Sequence, residues 1–298
     1  MSYSEDQQRL NLSAGLASVG VAAALVVLKL WALWATGALS IAASLADSAM
    51  DLLISLAGLG AIVYVARPAD EDHAFGHTSV EDLTSLGQAI FVFGSGCAIL
   101  WAAGHRLVTP EPHALAAEGA GIAVMSVSAV VTLFLVGWQA RVAKRTGNKV
   151  VAADMLHYVG DLMPTLGAIL ALILSAQFGW SRVDSVVAIL AALIMLRGAA
   201  KIGVEGWHAL MDRSAPHEVV ESIAEIAQIW PGVHGFHDLK TRTAGAKLFV
   251  QLHIELDPEQ SLMAAHEIAA SLKRTIIEAY PQADVIIHMD PWLRDKRR

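Results

Sequence analysis

Two short stretches of otherwise apolar sequence decide the fold: SLADSAMDLL at residues 44–53 and DMLHYVGDLM at residues 154–163. Together they carry four potential metal ligands, namely Asp47, Asp51, His157 and Asp161. Residues four apart lie on the same face of an α-helix, one turn above the other. If two such helices face each other, three carboxylates and one imidazole form a set of oxygen and nitrogen ligands that suits a divalent metal.

Ionisable side chains within apolar, membrane-spanning sequence are energetically costly. A carboxylate at the bilayer centre costs about 2.5–3.5 kcal/mol on insertion scales, so such residues persist mainly where they bind or move an ion. The simpler alternative is that these polar residues line a seam between helices. Because two pairs share the same four-residue spacing, the pattern favours a divalent-metal site within a helix bundle.

The composition predicts a membrane protein. Of the 298 residues, 55% are hydrophobic and 16% are charged, against about 25% charged in a typical soluble domain. The apolar residues are concentrated before about Asp212, where six runs approach or exceed the ~20 residues needed to cross the hydrocarbon core. We place these spans at residues 13–36, 40–66, 84–108, 118–139, 150–178 and 182–206.

Charges in the connections predict the orientation. The connection QARVAKRTGNK after the fourth span carries four basic residues, Arg141, Lys144, Arg145 and Lys149. The connections after the third and fifth spans carry one basic residue each. By the positive-inside rule, the basic connection lies in the cytoplasm. Six spans then place both termini in the cytoplasm.

Several classes of function are disfavoured by the sequence. A net charge of −7 argues against nucleic acid as a partner. The chain has no GxxxxGK[ST] loop for nucleotides, and no HExxH or GxSxG motif of an intramembrane hydrolase. Cys97 is the only cysteine, so no thiolate cage for soft ions can form. We therefore expect a protein that is not an enzyme and binds no nucleotide.

A second candidate cluster follows the second span, in RPADEDHAFGHTSVED at residues 67–82. Asp70, His73 and His77 are spaced three and four residues apart, and Gly76 permits a tight turn. Three such side chains could hold a metal with water as the fourth ligand. The alternative is a solvated loop in which His and Asp have no joint role.

The remainder of the chain has the pattern of a small α+β domain. Apolar residues recur at helical spacing in HEVVESIAEIAQIWP, and they alternate in the strand LFVQLHIEL. An Ala-Gly turn joins that strand to a preceding one, FHDLKTR. A second helix, MAAHEIAASLKRTII, and a last strand, ADVIIHMDPW, follow. The order αββαβ predicts a two-layer, ferredoxin-like fold.

These elements carry a third set of potential ligands: His237, His253, His266, His288 and Asp290. Each histidine taken alone is most simply an ordinary surface residue. Residues two apart on a strand, such as His288 and Asp290, point to the same face of the sheet. If the five side chains converge, they make a binuclear metal site plausible.

The motifs SLADSAMD, RPADEDHAFGH, ADMLHYVGD, HDLKTR and DVIIHMDP resemble those of the cation diffusion facilitator family, and most of all its bacterial YiiP-type zinc and ferrous-iron efflux proteins. The resemblance covers nearly the whole chain. It implies a polytopic α-helical membrane protein with six transmembrane helices, plus a C-terminal α+β ferredoxin-like (αββαβ) cytoplasmic domain. We divide the chain into a cytoplasmic N-terminal segment (1–12), a transmembrane transport domain (13–212), a cytoplasmic metal-binding domain (213–292) and a charged tail (293–298).

The resemblance also implies roles for the candidate ligands. The transport site between the second and fifth helices would comprise Asp47, Asp51, His157 and Asp161. The loop site would comprise Asp70, His73 and His77. The cytoplasmic binuclear site would comprise His237, His253, His266, His288 and Asp290, with Asp290 bridging the two metals.

The implied function is proton-coupled efflux of a divalent metal from the cytoplasm by a homodimer in a bacterial inner membrane. The ligands suit Zn²⁺ as both cargo and regulatory ligand, and Cd²⁺ or Fe²⁺ could share the site. The alternative is a membrane-anchored metal sensor or a non-transporting partner subunit. The complete set of four candidate ligands in the membrane argues against a sensor or a non-transporting subunit.

One position departs from the pattern of close relatives. They carry a lysine two residues after the second loop histidine, and this lysine pairs with an acid near the end of the sixth helix. Here the lysine position is Ser79, and the acid would be Asp212. We therefore expect the contact that would tie the membrane dimer together to be weakened or replaced.

Overall fold

The computed structural model describes residues 5–36, 39–108, 119–162 and 183–293. The described residues form two compact units, one over Glu5–Trp207 and one from His208 onward. The helices that make up the first unit are α1 (Glu5–Thr36), α2 (Leu39–Val65), α3 (Ser79–Val108), α4 (Gly119–Thr146), α5 (described over 149–162) and most of α6 (Val183–Leu210).

Four stretches of the described helices are long and apolar enough to cross a membrane: Glu5–Trp34, Ser48–Val65, Ser79–His105 and Ser126–Thr146. Trp34, Trp101 and Phe134 are at least 77% exposed on these helices, as expected of side chains that face lipid. Of the six predicted spans, the fifth (150–178) lies mostly outside the described residues. Helix α6 occupies the place of the sixth.

Two helices extend beyond the membrane spans that the sequence predicted. Helix α1 begins at Glu5 rather than at residue 13, within an acidic first turn that suits the positive end of the helix dipole. Helix α4 continues to Thr146 rather than ending near residue 139. Most of the basic connection is therefore helical, because Arg, Lys and Ala are good helix formers.

The turn between α4 and α5 consists of Gly147 and Asn148. Gly147 has a φ of +68°, which glycine adopts at little cost. The side chain of Asn148 accepts a 2.9 Å hydrogen bond from the backbone N–H of Val151. Asn148 therefore caps the first turn of α5 and fixes where the helix that carries His157 begins.

Helix α5 is held on two sides by small apolar clusters. Val151 packs with residues of α1 and α4, and Leu156 packs with residues of α3 and α6. Helix α1 packs against α2 and α4, and α2 against α3. These contacts set the position of the α5 face that bears His157 and Asp161.

The second unit contains, in chain order, α7 (His217–Gln228), β1 (Gly235–Ala244), β2 (Lys247–Leu256), α8 (Leu262–Ala279) and β3 (Ala283–Pro291). The sheet order is β1-β2-β3, with β1 antiparallel and β3 parallel to β2. Val250, Leu252 and Ile254 of β2 are buried against α7 and α8 through residues such as Ile223 and Leu272. The element order is the predicted αββαβ, and its three strands are consistent with a ferredoxin-like fold.

Candidate metal centres

Helices α2 and α5 bring three of the predicted transport ligands together. His157 Nε2 lies 3.0 Å from Asp51 Oδ1 and 3.6 Å from Asp161 Oδ2. One ligand atom from each side chain lies within 4.8 Å of the others, close enough for all three to contact one metal ion. The side chain of His157 is 6% exposed and that of Asp161 is 48% exposed, so the cluster is reached from the Asp161 side.

The fourth predicted ligand, Asp47, lies on α2 one turn before Asp51. Its side chain is outside the described part of the structure. A helix places residues four apart on one face, so the backbone is compatible with Asp47 joining the cluster.

A cavity of about 110 Å³ adjoins this cluster, with Asp51 and Asp161 in its wall. Helices α1, α4 and α5 contribute Lys29, Thr132 and Tyr158 to the same wall. Since one water occupies about 30 Å³ of the liquid, the cavity has room for an ion together with water. The cluster and its cavity are therefore suited to a small hydrated cation.

The loop before α3 brings its three predicted ligands together. Asp70 Oδ1 is 3.1 Å from His73 Nδ1, and Asp70 Oδ2 is 3.2 Å from His77 Nε2. The ring of His77 is buried and packs edge-on against Tyr64. Its contact with Asp70 lacks the alignment of a hydrogen bond, so both ring nitrogens remain unsatisfied. A nitrogen lone pair is therefore available to a metal.

The loop stabilises the ionised form of the Asp70 carboxyl. The backbone N–H of His73 donates a 2.7 Å hydrogen bond to Asp70 Oδ1, and this bond holds the pKa of Asp70 below its usual value. A turn closed by the Gly76 N–H and the His73 carbonyl, with Gly76 at φ +86°, allows the chain to fold back on Asp70.

In the second unit, three histidines lie side by side on the polar face of the sheet. The strand register places His237 opposite His253, and His253 opposite His288. Asp290 Oδ2 is 2.8 Å from His253 Nδ1 and 3.4 Å from His237 Nε2. Asp290 Oδ1 is 3.4 Å from His288 Nε2. The two oxygens of Asp290 thus face different histidines, which is compatible with the predicted bridging role.

The remaining predicted ligand of this site is placed elsewhere. His266 is exposed on α8 and belongs to neither of the His/Asp clusters found among the described residues of the sheet.

The hydrogen bond with His253 holds the pKa of the Asp290 carboxyl below its usual value, and the nearby histidines add to this effect.

Sequence reasoning missed several polar residues near these sites. Asp238 Oδ2 lies 3.5 Å from His237 Nδ1. Asp238 is at a β-bulge of β1, where its φ is +50°. In the sequence, the only sign of this contact was that Asp238 directly follows His237. Asp154 is buried one turn from His157 on α5, and its spacing of three from His157 was visible in ADMLHYVGD. Buried Asp82 pairs with Lys149 at 2.6 Å, a contact that no local spacing indicates.

Known proteins resemble the whole chain. A family described as the cation efflux transmembrane domain matches residues 15–220, and one described as the cation efflux protein cytoplasmic domain matches residues 215–292. The chain is 40% identical to the cation-efflux pump FieF of Klebsiella pneumoniae subsp. pneumoniae over 283 residues, covering 95% of this chain and 93% of the relative. It is 38% identical to FieF of Escherichia coli O1:K1 / APEC, with the same coverage.

Two solved structures are each similar to less than a third of the chain. The zinc form of the transporter CzrB is 34% identical, covers 29% of this chain and all of its own, and has a TM-score of 0.27. The metal-bound C-terminal domain of the CzcD transporter from Thermotoga maritima is 28% identical, covers 25% of this chain and 87% of its own, and has a TM-score of 0.24.

The long apolar helices and the ligand cluster beside a cavity are those of a cation-efflux membrane transporter. The chain belongs to the cation diffusion facilitator family, as the extent of the family match and the identity to the FieF pumps establish. Members of this family are transporters and not enzymes. The family predicted from the sequence motifs is thereby confirmed.

Proposed function

We propose that this transporter exports a divalent metal from the cytoplasm in exchange for protons, with Zn²⁺ as the first candidate and Cd²⁺ or Fe²⁺ as alternatives. The observation that carries this proposal is the convergence of Asp51, His157 and Asp161 beside a cavity between α1, α2, α4 and α5. Asp47 would complete the quartet. One imidazole with three carboxylates is a ligand set that Zn²⁺ accepts.

The chemistry of these ligands couples metal to protons. A neutral imidazole binds a metal whereas an imidazolium does not, and an imidazole with the reference pKa of ~6.5 changes charge near physiological pH. Metal entry at His157 therefore competes with protonation, so binding releases protons and protonation favours metal release. Alternating exposure of a fixed site within the membrane would move metal outward and protons inward.

The proposed orientation rests on charge. Arg141, Lys144 and Arg145 lie near the end of α4, and Lys149 begins α5. The positive-inside rule assigns this turn to the cytoplasm, which gives cytoplasmic termini with six spans. We propose a bacterial inner membrane as the location, and the segments 1–12, 13–212, 213–292 and 293–298 as the functional divisions. Residues 294–298 lie outside the described part of the chain.

We propose that the other two clusters serve regulation and assembly. Asp290 would bridge two Zn²⁺ ions held by the sheet histidines, with His266 joining only after a rearrangement or in the assembled homodimer. The loop cluster around Asp70 would bind a separate ion. The cluster on the C-terminal sheet also favours a second candidate function, a membrane-anchored metal sensor or non-transporting partner subunit.

Metal flux distinguishes these functions. In proteoliposomes with an imposed pH gradient, we expect zinc transport by the wild-type protein and loss of transport in Asp51→Ala and Asp161→Ala. Asp72→Ala, an exposed carboxylate beside the loop cluster, is the matched control and should transport normally. Wild-type flux in either site variant would refute the assigned transport site. Zinc binding without flux in the wild-type protein would favour the sensor.

A further inference from the structure

A buried carboxylate outside the metal clusters joins three helices. Asp154 of α5 is 5% exposed. Its Oδ2 accepts a 2.6 Å hydrogen bond from Ser18 Oγ of α1 and another of 2.6 Å from Gln139 Nε2 of α4. Both donors are uncharged. A buried carboxylate anion is costly unless a cation pairs with it, and this one is held by neutral groups.

Two oxygens at this place are buried without a hydrogen-bond partner: Asp154 Oδ1 and Gln139 Oε1. If Asp154 is ionised, both atoms are acceptors and cannot satisfy each other. A proton on Asp154 Oδ1 would donate to the amide oxygen, while the amide nitrogen already donates to Oδ2. One proton would thus join the acid and the amide by two hydrogen bonds and give both oxygens a partner. Most buried polar groups in proteins have such a partner.

A chain of hydroxyls connects this carboxyl group to the metal cavity. Ser18 Oγ lies 2.8 Å from Ser55 Oγ, and Ser55 Oγ lies 2.9 Å from the hydroxyl of Tyr158. Tyr158 is part of the cavity wall that also contains Asp51 and Asp161. A proton entering at Tyr158 can therefore pass along the chain, because each hydroxyl accepts one proton and gives its own to the next. Ser18 would deliver it to Asp154 Oδ2, and a half-turn of the carboxyl group would then bring the protonated oxygen to the position of Oδ1.

We propose that Asp154 is a second proton-binding site, neutral in this conformation and connected to the metal cavity through Tyr158, Ser55 and Ser18. The charged or titratable groups facing it are Asp51 from α2 and His157 and Tyr158 from its own helix. Helices α1 and α4 present the neutral Ser18 and Gln139. This site goes beyond the proposed antiport, since its occupancy by a proton requires no metal.

Infrared spectroscopy of the purified, metal-free, full-length protein at neutral pH tests the proposal. We expect a carbonyl stretching band of a protonated carboxyl group that is lost in Asp154→Asn. This variant should fold, because its amide can donate to Gln139 Oε1 as the acid does. Asp82→Asn is the control: Asp82 pairs with Lys149, so its replacement should leave the protonated-carboxyl band intact. A band that persists in Asp154→Asn would overturn the proposal.

A second variant keeps the test decisive if Asp154→Asn does not fold. Gln139→Leu removes the amide that accepts the hydrogen, so the carboxyl band should remain and shift to higher frequency. An unshifted band would overturn the acid–amide pairing.

The hydroxyl chain has its own test. Tyr158→Phe should keep the band but slow its shift after transfer to D₂O several-fold, whereas Tyr64→Phe at the loop cluster should not change this rate. An unchanged exchange rate in Tyr158→Phe would overturn the proposed connection. These readouts do not depend on metal transport, so they stand or fall separately from the proposed antiport.

Discussion

His157 would contribute the nitrogen to the proposed transport site, where its described neighbours Asp51 and Asp161 are carboxylates. Its ring is almost fully buried, and Nε2 points between Asp51 and Asp161. Nitrogen is a borderline donor that suits zinc, whereas carboxylate oxygen also suits harder ions such as Mn²⁺. The identity of this single residue is therefore expected to set much of the metal preference.

Replacing the imidazole should change selectivity. In His157→Asp, the site becomes all-oxygen and loses its imidazole, on which metal and proton compete, so we expect weaker discrimination of Zn²⁺ over Mn²⁺ and an altered number of protons released per metal. Competition between the two ions in proteoliposomes, with a pH-sensitive dye, measures both quantities. His105→Asp, in an exposed position on α3, is the control. If neither quantity changes, His157 is not a metal ligand.

Asp290 lies within 3.4 Å of all three histidines of the sheet cluster. A ligand that binds only the native state stabilises it by RT ln(1 + [L]/Kd), about 2.7 kcal/mol at a hundredfold excess over Kd. We expect zinc to raise the melting temperature of residues 210–298, expressed alone, and Asp290→Ala to abolish that rise. His217→Ala, which lies on α7 and pairs with Glu221, should retain it. A calorimetric scan without a zinc-dependent shift in the wild-type domain would remove this site.

The lowered pKa of Asp290 has a consequence for the metal-free domain. Since the carboxyl is more acidic when folded, its ionisation stabilises the fold above the ordinary carboxyl pKa of about 4. That contribution is lost as pH falls through the lowered native pKa. Asp290→Asn should therefore flatten the loss of stability on the acid side, as measured by denaturant unfolding between neutral and acidic pH. An unchanged acid limb would show that Asp290 gains nothing from its histidine neighbours.

At the scale of elements, α3 and α5 are joined by charge. Lys149 Nζ contacts Asp82 Oδ1 at 2.6 Å, and the backbone N–H of Lys149 donates to Glu81 Oε1 at 2.9 Å. Both acids are 1% exposed. The sequence alone assigned Lys149 to the charge of a cytoplasmic connection. The structure adds a contact between the first turns of two helices.

Removing this lysine should weaken the bundle. In Lys149→Met, Asp82 loses the Lys149 ammonium group while staying buried, and breaking such a pair costs about 3 kcal/mol, the lower end of the range for buried pairs. We expect a lower thermal unfolding midpoint in detergent. Lys144→Met, an exposed lysine at the end of α4, should have little effect. Equal midpoints for the two variants would show that the Lys149 contact contributes no more than a surface charge.

The sequence predicted elements better than it predicted their ends and partners. Hydrophobic runs indicated the helices, and alternation in β2 placed Leu252 inward and His253 outward, because periodicity records which face is buried. The apolar run of the fourth span ends near residue 139, whereas helix α4 continues to Thr146, since charged residues continue a helix as readily as apolar ones. The network around Asp154 and the separation of His266 from the sheet histidines depend on how distant segments meet, which no local pattern encodes.

At the scale of the whole molecule, the departure at Ser79 acquires a structural context. The acid that would pair with a lysine there, Asp212, instead accepts a 3.2 Å hydrogen bond from Arg242 Nη1 of β1. Arg242 also lies over the ring of Phe249 at 4.1 Å. Asp212 thus forms an ion pair within the second unit, and its counter-ion there is Arg242.

This pairing leads to a prediction for the proposed homodimer. Ser79→Lys alone should leave the inter-protomer distances of the metal-free protein unchanged, because the new lysine must compete with Arg242 for Asp212, and an exposed ion pair is worth at most ~1 kcal/mol. Combining Ser79→Lys with Arg242→Gln makes Asp212 available and should narrow the distance distribution between spin labels on the cytoplasmic ends of the helices. Arg242→Gln alone is the control and should not narrow it. Narrowing by Ser79→Lys alone would show that Arg242 does not hold Asp212 in the membrane-bound protein, and no narrowing in the double variant would show that this acid does not control the dimer geometry.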